Sequence, residues 1–421
     1  MRKKTEHTLK NLTLVIGLGS LLAACAPEGS EDKTVTQAPA PAQAPAAPIA
    51  AAETISQSAL ELGARAANWQ LSHLDNFDYI PERNREKTAD PREWMQAAFY
   101  VGLTRWADTV GDKDLVSQIA QTAGDINYEL GARPMHGDDH AIGQTYLWVY
   151  EQTGNAAAYE PIQTQFDAIL ADQPSNSLEF FESDVPGFEG TCQDRWCWAD
   201  ALFMAPRTWL KLSNATGDPR YFEYGDKEYW ATADYLFSDD YGLFFRDSRY
   251  FERKSDNGNH VFWSRGNGWV FAALPLIIDD LPDGHPSKER YLDLYTKMAK
   301  SLVKVQNPNG YWPASLMDAD KVKTPETSGT GFITFGLAWG VNNGVLSDTA
   351  TADAVEKGWA ALAAAIGDDG MLHWVQQVGK SPDPVQEDET QLYGVGAFLL
   401  AAAEMTRWDT APKTAGIPAD K

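Results

Sequence analysis

The chain has 421 residues, 43% hydrophobic and 11% aromatic, enough apolar material for a large core, which excludes a wholly disordered protein. Its 59 acidic residues against 35 basic give a net charge of −24, a field that repels phosphate backbones and excludes DNA and RNA as partners. After the first 25 residues no apolar run is long enough to span a bilayer, which excludes a polytopic membrane protein.

The N-terminus predicts an export signal over residues 1–24. Arg2, Lys3, Lys4 and Lys10 form a basic region, and Leu12 to Ala24 form a short apolar one ending in small residues. The run Leu22-Ala23-Ala24-Cys25 resembles the lipobox of bacterial lipoproteins, which implies a lipidated Cys25 as the mature N-terminus. Residues 25–54 then read as that Cys plus a Pro/Ala-rich, semi-extended tether. A membrane contact is expected through this lipid anchor only. Ala26, not Asp, follows the Cys and leans toward the outer membrane, with either face of it open.

Residues 55–412 read as the folded body, with a disordered tail over 413–421. In the body WADTVGDKDL (106–115), VYEQTGNAAAY (149–159) and LKLSNATGDPRY (210–221) share one pattern: an apolar-periodic run, a Gly, then Asp or Asn before the next run. Gly111, Gly154 and Gly217 suit left-handed helix ends, and Asp112, Asn155 and Asp218 suit the following N-caps. A second mark, a turn Gly before an aromatic-rich stretch, recurs at Gly242, Gly310 and Gly370, 68 and 60 residues apart. A quasi-period near 60 fits about six αα-hairpins into the body. The predicted fold is therefore all-α, an (α/α)6 barrel. An open solenoid or two bundles share this helix content, but long connections such as 239–262 suit a toroid whose one face carries a site.

Three segments hold the candidate chemistry. In Met135–Leu147, Asp138 and Asp139 precede an apolar-periodic run, so each is either a helix cap or a site carboxylate. His136 and His140 lack a third partner for a metal, and neither a metal nor a cofactor is expected. In Cys192–Leu210, Asp200 sits among Trp196, Leu202, Phe203 and Trp209, with Pro206 expected to kink the helix. Burial there would raise its pKa and fit it as a general acid; a buried structural hydrogen-bonder is the plain alternative. Cys192 and Cys197 are spaced for a disulfide in an oxidising compartment, or stay reduced. In Asn259–Leu274, Trp263, Arg265 and Trp269 offer stacking faces and a carboxylate fork, or else core packing and an internal ion pair. Upstream, Arg246, Arg249, Arg253 and Lys254 form a basic island in an acidic protein, suited to an anionic ligand or simply solvated.

DRWCWADALFMAP, FWSRGNGW and PETSGTGF (325–332), in this order, resemble the unsaturated glycuronyl hydrolases, specifically the unsaturated rhamnogalacturonyl hydrolases (glycoside hydrolase family 105, related to family 88), over about residues 60–410. The resemblance implies an (α/α)6 enzyme without metal or cofactor. Its substrate would be the unsaturated acidic oligosaccharide that polysaccharide lyases leave, and no obligate protein partner is evident. It implies Asp200 as the catalytic acid/base and one of Asp138 and Asp139, with Asp139 favoured, as the second carboxylate. Trp94, Trp263 and Trp269 would stack on sugar, Arg265 with Ser328 or Thr330 would take the uronate, and His140, Gln144 and Asp138 would line the site. Many members carry a His after the Gly-Leu-Phe turn; here Gly242-Leu-Phe-Phe-Arg-Asp-Ser-Arg-Tyr offers Arg246 or Tyr250 instead. Two rival readings stand beside this one: another (α/α)6 carbohydrate enzyme, inverting glycosidase or epimerase, and a non-catalytic glycan-binding lipoprotein.

Overall fold

The computed structural model describes residues 54–180 and 192–410. The expected signal, Cys25, the tether as far as residue 53 and the 413–421 tail lie outside the described residues. Among the described residues twelve long elements alternate between two layers. The outer helices are α1 (Ile55–Leu71), α4 (Lys113–Asp125), α7 (Glu160–Ala171), α10 (Pro219–Leu236), α12 (Lys288–Lys304) and α14 (Thr349–Ala364). The inner ones are α3 (Trp94–Val110), α6 (Gly143–Thr153), the broken pair α8 (Ala201–Met204) and α9 (Pro206–Thr216), α11 (Ser264–Asp280), α13 (Thr327–Asn342) and α15 (Leu392–Met405). Short helices α2 (Glu82–Ala89) and α5 (Gly137–His140) lie in connections, and a two-residue hairpin, β1 (Phe237–Ser238) with β2 (Leu243–Phe244), follows α10.

Composition explains the layering. α13 and α15 are buried along their whole length, which suits inner elements covered on both sides. The outer α4 and α12 bury only one stripe. The ring closes where α15 packs on α3. Glycine makes that seam possible: a Cβ on Gly102 would collide with the Gly396 carbonyl oxygen. The barrel reading is borne out.

The two sequence marks fall at opposite ends. Gly111, Gly154 and Gly217 end inner helices with φ of 65°, 70° and 74°, and Asp112, Asn155 and Asp218 cap the next helical segments by accepting backbone N–H groups. These tight hairpins occupy one end. Gly242, Gly310 and Gly370 come after outer helices, in the long connections that return to inner N-termini. Every candidate site residue lies in such a connection or near the first turns of an inner helix. Pro206 does more than kink: it starts α9 and separates it from α8.

Candidate active site

Asp200 immediately precedes α8. The turn that delivers it is held by a disulfide between Cys192 and Cys197. Within that loop Trp196 has a φ of 56°, a conformation bulky side chains rarely adopt, so the bond and the fully buried indole together fix the loop. Asp200 is 8% exposed. Burial pushes its carboxyl pKa up, opposed by the positive charges of Arg246 and then Arg265. Arg246 Nε lies 3.5 Å from Asp200 Oδ2, yet neither atom makes a hydrogen bond among the described residues. A buried carboxyl with an uncommitted oxygen can hold a proton and hand it over.

Arg246 is fixed from behind. Fully buried Asp247 accepts from Arg246 Nη1 at 2.7 Å and from Arg249 Nε and Nη2 at 2.8 and 2.9 Å. Burial alone would raise the Asp247 pKa, but the Arg249 and Arg246 contacts bring it below the usual carboxylate range. Arg246 is thus held beside Asp200 with its Nε–H uncommitted. Asp247 escaped the sequence reading, although an acid inside an arginine-rich run is itself a sign of an internal clamp.

The two neighbouring aspartates divide their work. Asp139 accepts the Arg133 backbone N–H at 2.6 Å and also the Arg133 Nε and Nη2 donors. Asp138 makes no comparable pair; Arg133 Nη2 is 4.0 Å away. Burial lifts Asp138 to about 7, with Arg133 pulling down and the Asp200 charge pushing up. The favoured Asp139 is thus anchored by Arg133, whereas Asp138 is the one whose pKa the Asp200 charge helps to raise. His136 caps α5 through Nδ1, and burial lowers it to about 2, so it stays neutral.

Several expected binding residues are committed elsewhere. His140 is 1% exposed: Nε2 faces the Pro134 carbonyl at 2.7 Å and Nδ1 accepts from Trp209 Nε1 at 3.3 Å. Gln144 donates to the Phe203 and Met204 carbonyls and pins α8 to α6. Arg265, expected as a uronate fork, donates to the Gln376 and Gln377 carbonyls at 2.6 and 2.9 Å and lies between Trp263 and Tyr393. Ser328 donates to Glu326 Oε1, and Thr330 donates to the Glu326 carbonyl at 2.7 Å. Trp263 and Trp269 are core residues, 2% and 1% exposed, and the Trp263 N–H is spent on Gln376 Oε1. Trp94 alone of the three is partly exposed, stacked on Tyr393 at 5.1 Å. Thus Asp200, Asp138, Arg246 and Trp94 stay available, while the others build the walls. Gln376, Gln377, Tyr393 and Glu326 were missed; only Glu326, a cap two residues before Ser328, left a sequence signal.

A family model described as Glycosyl Hydrolase Family 88 matches residues 64–408. The chain belongs to glycoside hydrolase family 88. The "Unsaturated 3S-rhamnoglycuronyl hydrolase" of Alteromonas sp. (strain LOR) is 55% identical over 96% of this chain and 99% of its own. A relative of the same name from Formosa agariphila is 34% identical over 75% of this chain and 85% of its own. Among solved structures, a family 88 glycosyl hydrolase from Bacteroides vulgatus superposes with a TM-score of 0.72 at 27% identity, covering 85% of this chain and 100% of that one. Membership of the family removes the epimerase and pure-binding readings in favour of a glycosidase.

Proposed function

We propose that this glycosidase removes the terminal 4,5-unsaturated uronic acid from lyase-generated oligosaccharides of rhamnogalacturonan or ulvan type. The observation that carries the reading is Asp200: buried, its pKa raised, and with one oxygen free of hydrogen bonds. The names of the two relatives point to the same reaction class. The substrate is an enol ether, with its C4=C5 double bond conjugated to the carboxylate and joined to the ring oxygen. Asp200 gives its proton to C4, and positive charge develops at C5 and the ring oxygen. Water adds at C5 and returns a proton to Asp200. The hemiketal opens and the shortened saccharide leaves. The anomeric carbon is never attacked, unlike ordinary two-carboxylate glycoside hydrolysis.

In this reading Asp138, negative once ionised, disfavours ionisation of Asp200 and keeps the acid loaded. Arg246 places its uncommitted Nε–H beside the reacting carboxyl, where the uronate carboxylate can accept it. Trp94 offers the sugar a stacking face. Asp200→Asn should abolish turnover of unsaturated substrate while leaving binding; undiminished turnover would remove this mechanism.

The same proposal places the enzyme as an exported lipoprotein, anchored through Cys25 at the outer membrane. Fractionation of cells expressing the full chain tests this. Cys25→Ser should move the protein from the membrane to the soluble fraction, and an unchanged distribution would refute the anchor.

A further inference from the structure

A cavity of about 310 Å³ is lined by connections that, like the one carrying Asp200, lead into inner helices. Its walls come from three long connections: Arg253–Val261 before α11, Ser315–Val322 before α13, and Ser381–Asp383 before α15. Its lining is tied to residues of the active-site wall at two points. Trp263 forms a backbone bridge with Ser315, and Gln376 Nε2 donates to the Ser381 carbonyl at 2.8 Å. At this size it sits near the small end of ligand pockets, roughly 300–1,000 Å³.

Its charge runs against that of the molecule. Arg253, Lys254 and Lys321 face it, against Asp256 and Asp383. Lys321 is paired with Asp256 at 3.0 Å, on exposed side chains that screening weakens. The Arg253 guanidinium rests 5.0 Å from the Tyr250 ring centroid. Along the chain basic residues therefore lead from the chemistry to the cavity: Arg246 beside Asp200, Arg249 on Asp247, then Arg253 and Lys254 in the cavity lining. The hairpin carrying the last two is built and pinned. Lys254 bridges His260, Ser255 N donates to the Asn259 carbonyl at 2.8 Å, and Asn257 and Asn259 both donate to Asp318 Oδ1, at 3.0 and 2.7 Å. A merely solvated charge run needs no such scaffold. A polyanionic chain approaching a protein of net charge −24 needs a local positive surface to dock.

We infer that this cavity is a subsite for an anionic sugar residue beyond the bond that is broken, with Arg253, Lys254 and Lys321 holding a sulfate ester or a uronate carboxylate. The inference rests on the hydrolase reading above and adds where the retained part of the substrate lies. It is tested with the full-chain enzyme, the Arg253→Ala/Lys254→Ala double variant and Lys321→Ala. Substrates are an unsaturated disaccharide with a neutral second sugar and unsaturated tetrasaccharides that are sulfated, desulfated or carboxyl-reduced. The double variant should raise KM for the anionic tetrasaccharide about tenfold at unchanged kcat, leave the neutral disaccharide unaffected, and lose its effect in high salt. Dependence on sulfation alone names the sulfate ester, and dependence on the carboxyl alone names the uronate. Equal effects on neutral and anionic substrates, or none on either, overturn the subsite. If the wild-type enzyme turns over no unsaturated disaccharide, the hydrolase reading fails by itself. Calorimetric titration of the anionic tetrasaccharide into wild type and double variant then decides the cavity: weaker binding by the variant supports it, equal binding overturns it.

Discussion

Replacing Asp138 and Asp139 one at a time by Asn separates two carboxylates that adjoin in sequence but differ in surroundings. Asp138 titrates near 7 in the folded protein, above the ordinary 3.8. Below 3.8 both states are protonated and nothing is lost; as pH rises from 3.8 to 7 the unfolded chain ionises first and stability falls. The ceiling of that loss is about 4 kcal/mol. Solvent reaches 19% of the side chain, so we take half, about 2 kcal/mol. Asp138→Asn, which cannot ionise, should therefore raise Tm by about 3 °C at pH 7.5 and hardly at pH 4. Asp139→Asn loses the charge-assisted contacts from Arg133, whose side chain is 49% exposed, so the cost is about 1–2 kcal/mol and Tm falls. Activity should rank the two variants in the opposite order. Measured by loss of the conjugated double bond's absorbance, Asp138→Asn should lower kcat by about 10²-fold or more and bring the basic limb of the pH profile to lower pH. Asp139→Asn should cost less than tenfold. A crippled Asp139→Asn with unchanged Tm, beside a near-normal Asp138→Asn, would refute the assignment and restore Asp139.

Three other outcomes are expected from the walls of the site. Arg265→Ala strands two buried carbonyls and should cost about 3 kcal/mol or more in a denaturant melt, whereas a higher KM at unchanged stability would make it the substrate clamp its sequence suggests. The Cys192→Ser/Cys197→Ser variant frees the loop before Asp200; it should lose about 2 kcal/mol and lower kcat more than it raises KM, and wild-type kcat would deny the loop that positioning role. His140, lowered by burial to about 4, contributes stability above about pH 6.5 that is lost as pH falls toward 4. His140→Gln should flatten the decline between pH 7 and 4.5 by about 2 kcal/mol, and equal pH dependence in both proteins would contradict a buried neutral ring.

The barrel was legible because its signals are local. Each Gly-then-Asp or Gly-then-Asn mark is one helix end and one helix start, and the spacing of the turn glycines Gly242, Gly310 and Gly370 implies six hairpins. Asp200 was legible for a similar reason, since its aromatic neighbours lie within ten residues along the chain. Sequence could not supply which side chains already had partners. Arg265 looks like a free fork until the Gln376 and Gln377 carbonyls, 111 and 112 residues away, are seen to hold it. Gln144 and His140 are likewise consumed by Phe203 and Trp209, over separations of 59 and 69 residues. The choice between Asp138 and Asp139 turned on Arg133, six residues before Asp139, whose pairing depends on how the loop folds back.

Whether Asp200 protonates a carbon–carbon double bond is tested by one absorbance trace. Wild-type enzyme and Asp200→Asn are each mixed with lyase-digested rhamnogalacturonan and ulvan oligosaccharides, with saturated oligosaccharides as controls. Near-ultraviolet absorbance should fall with wild type on at least one unsaturated substrate and stay constant with the folded Asn variant, and the saturated controls should remain uncleaved. Undiminished absorbance loss with Asp200→Asn, or release of sugar from the saturated oligosaccharides, would contradict that protonation step.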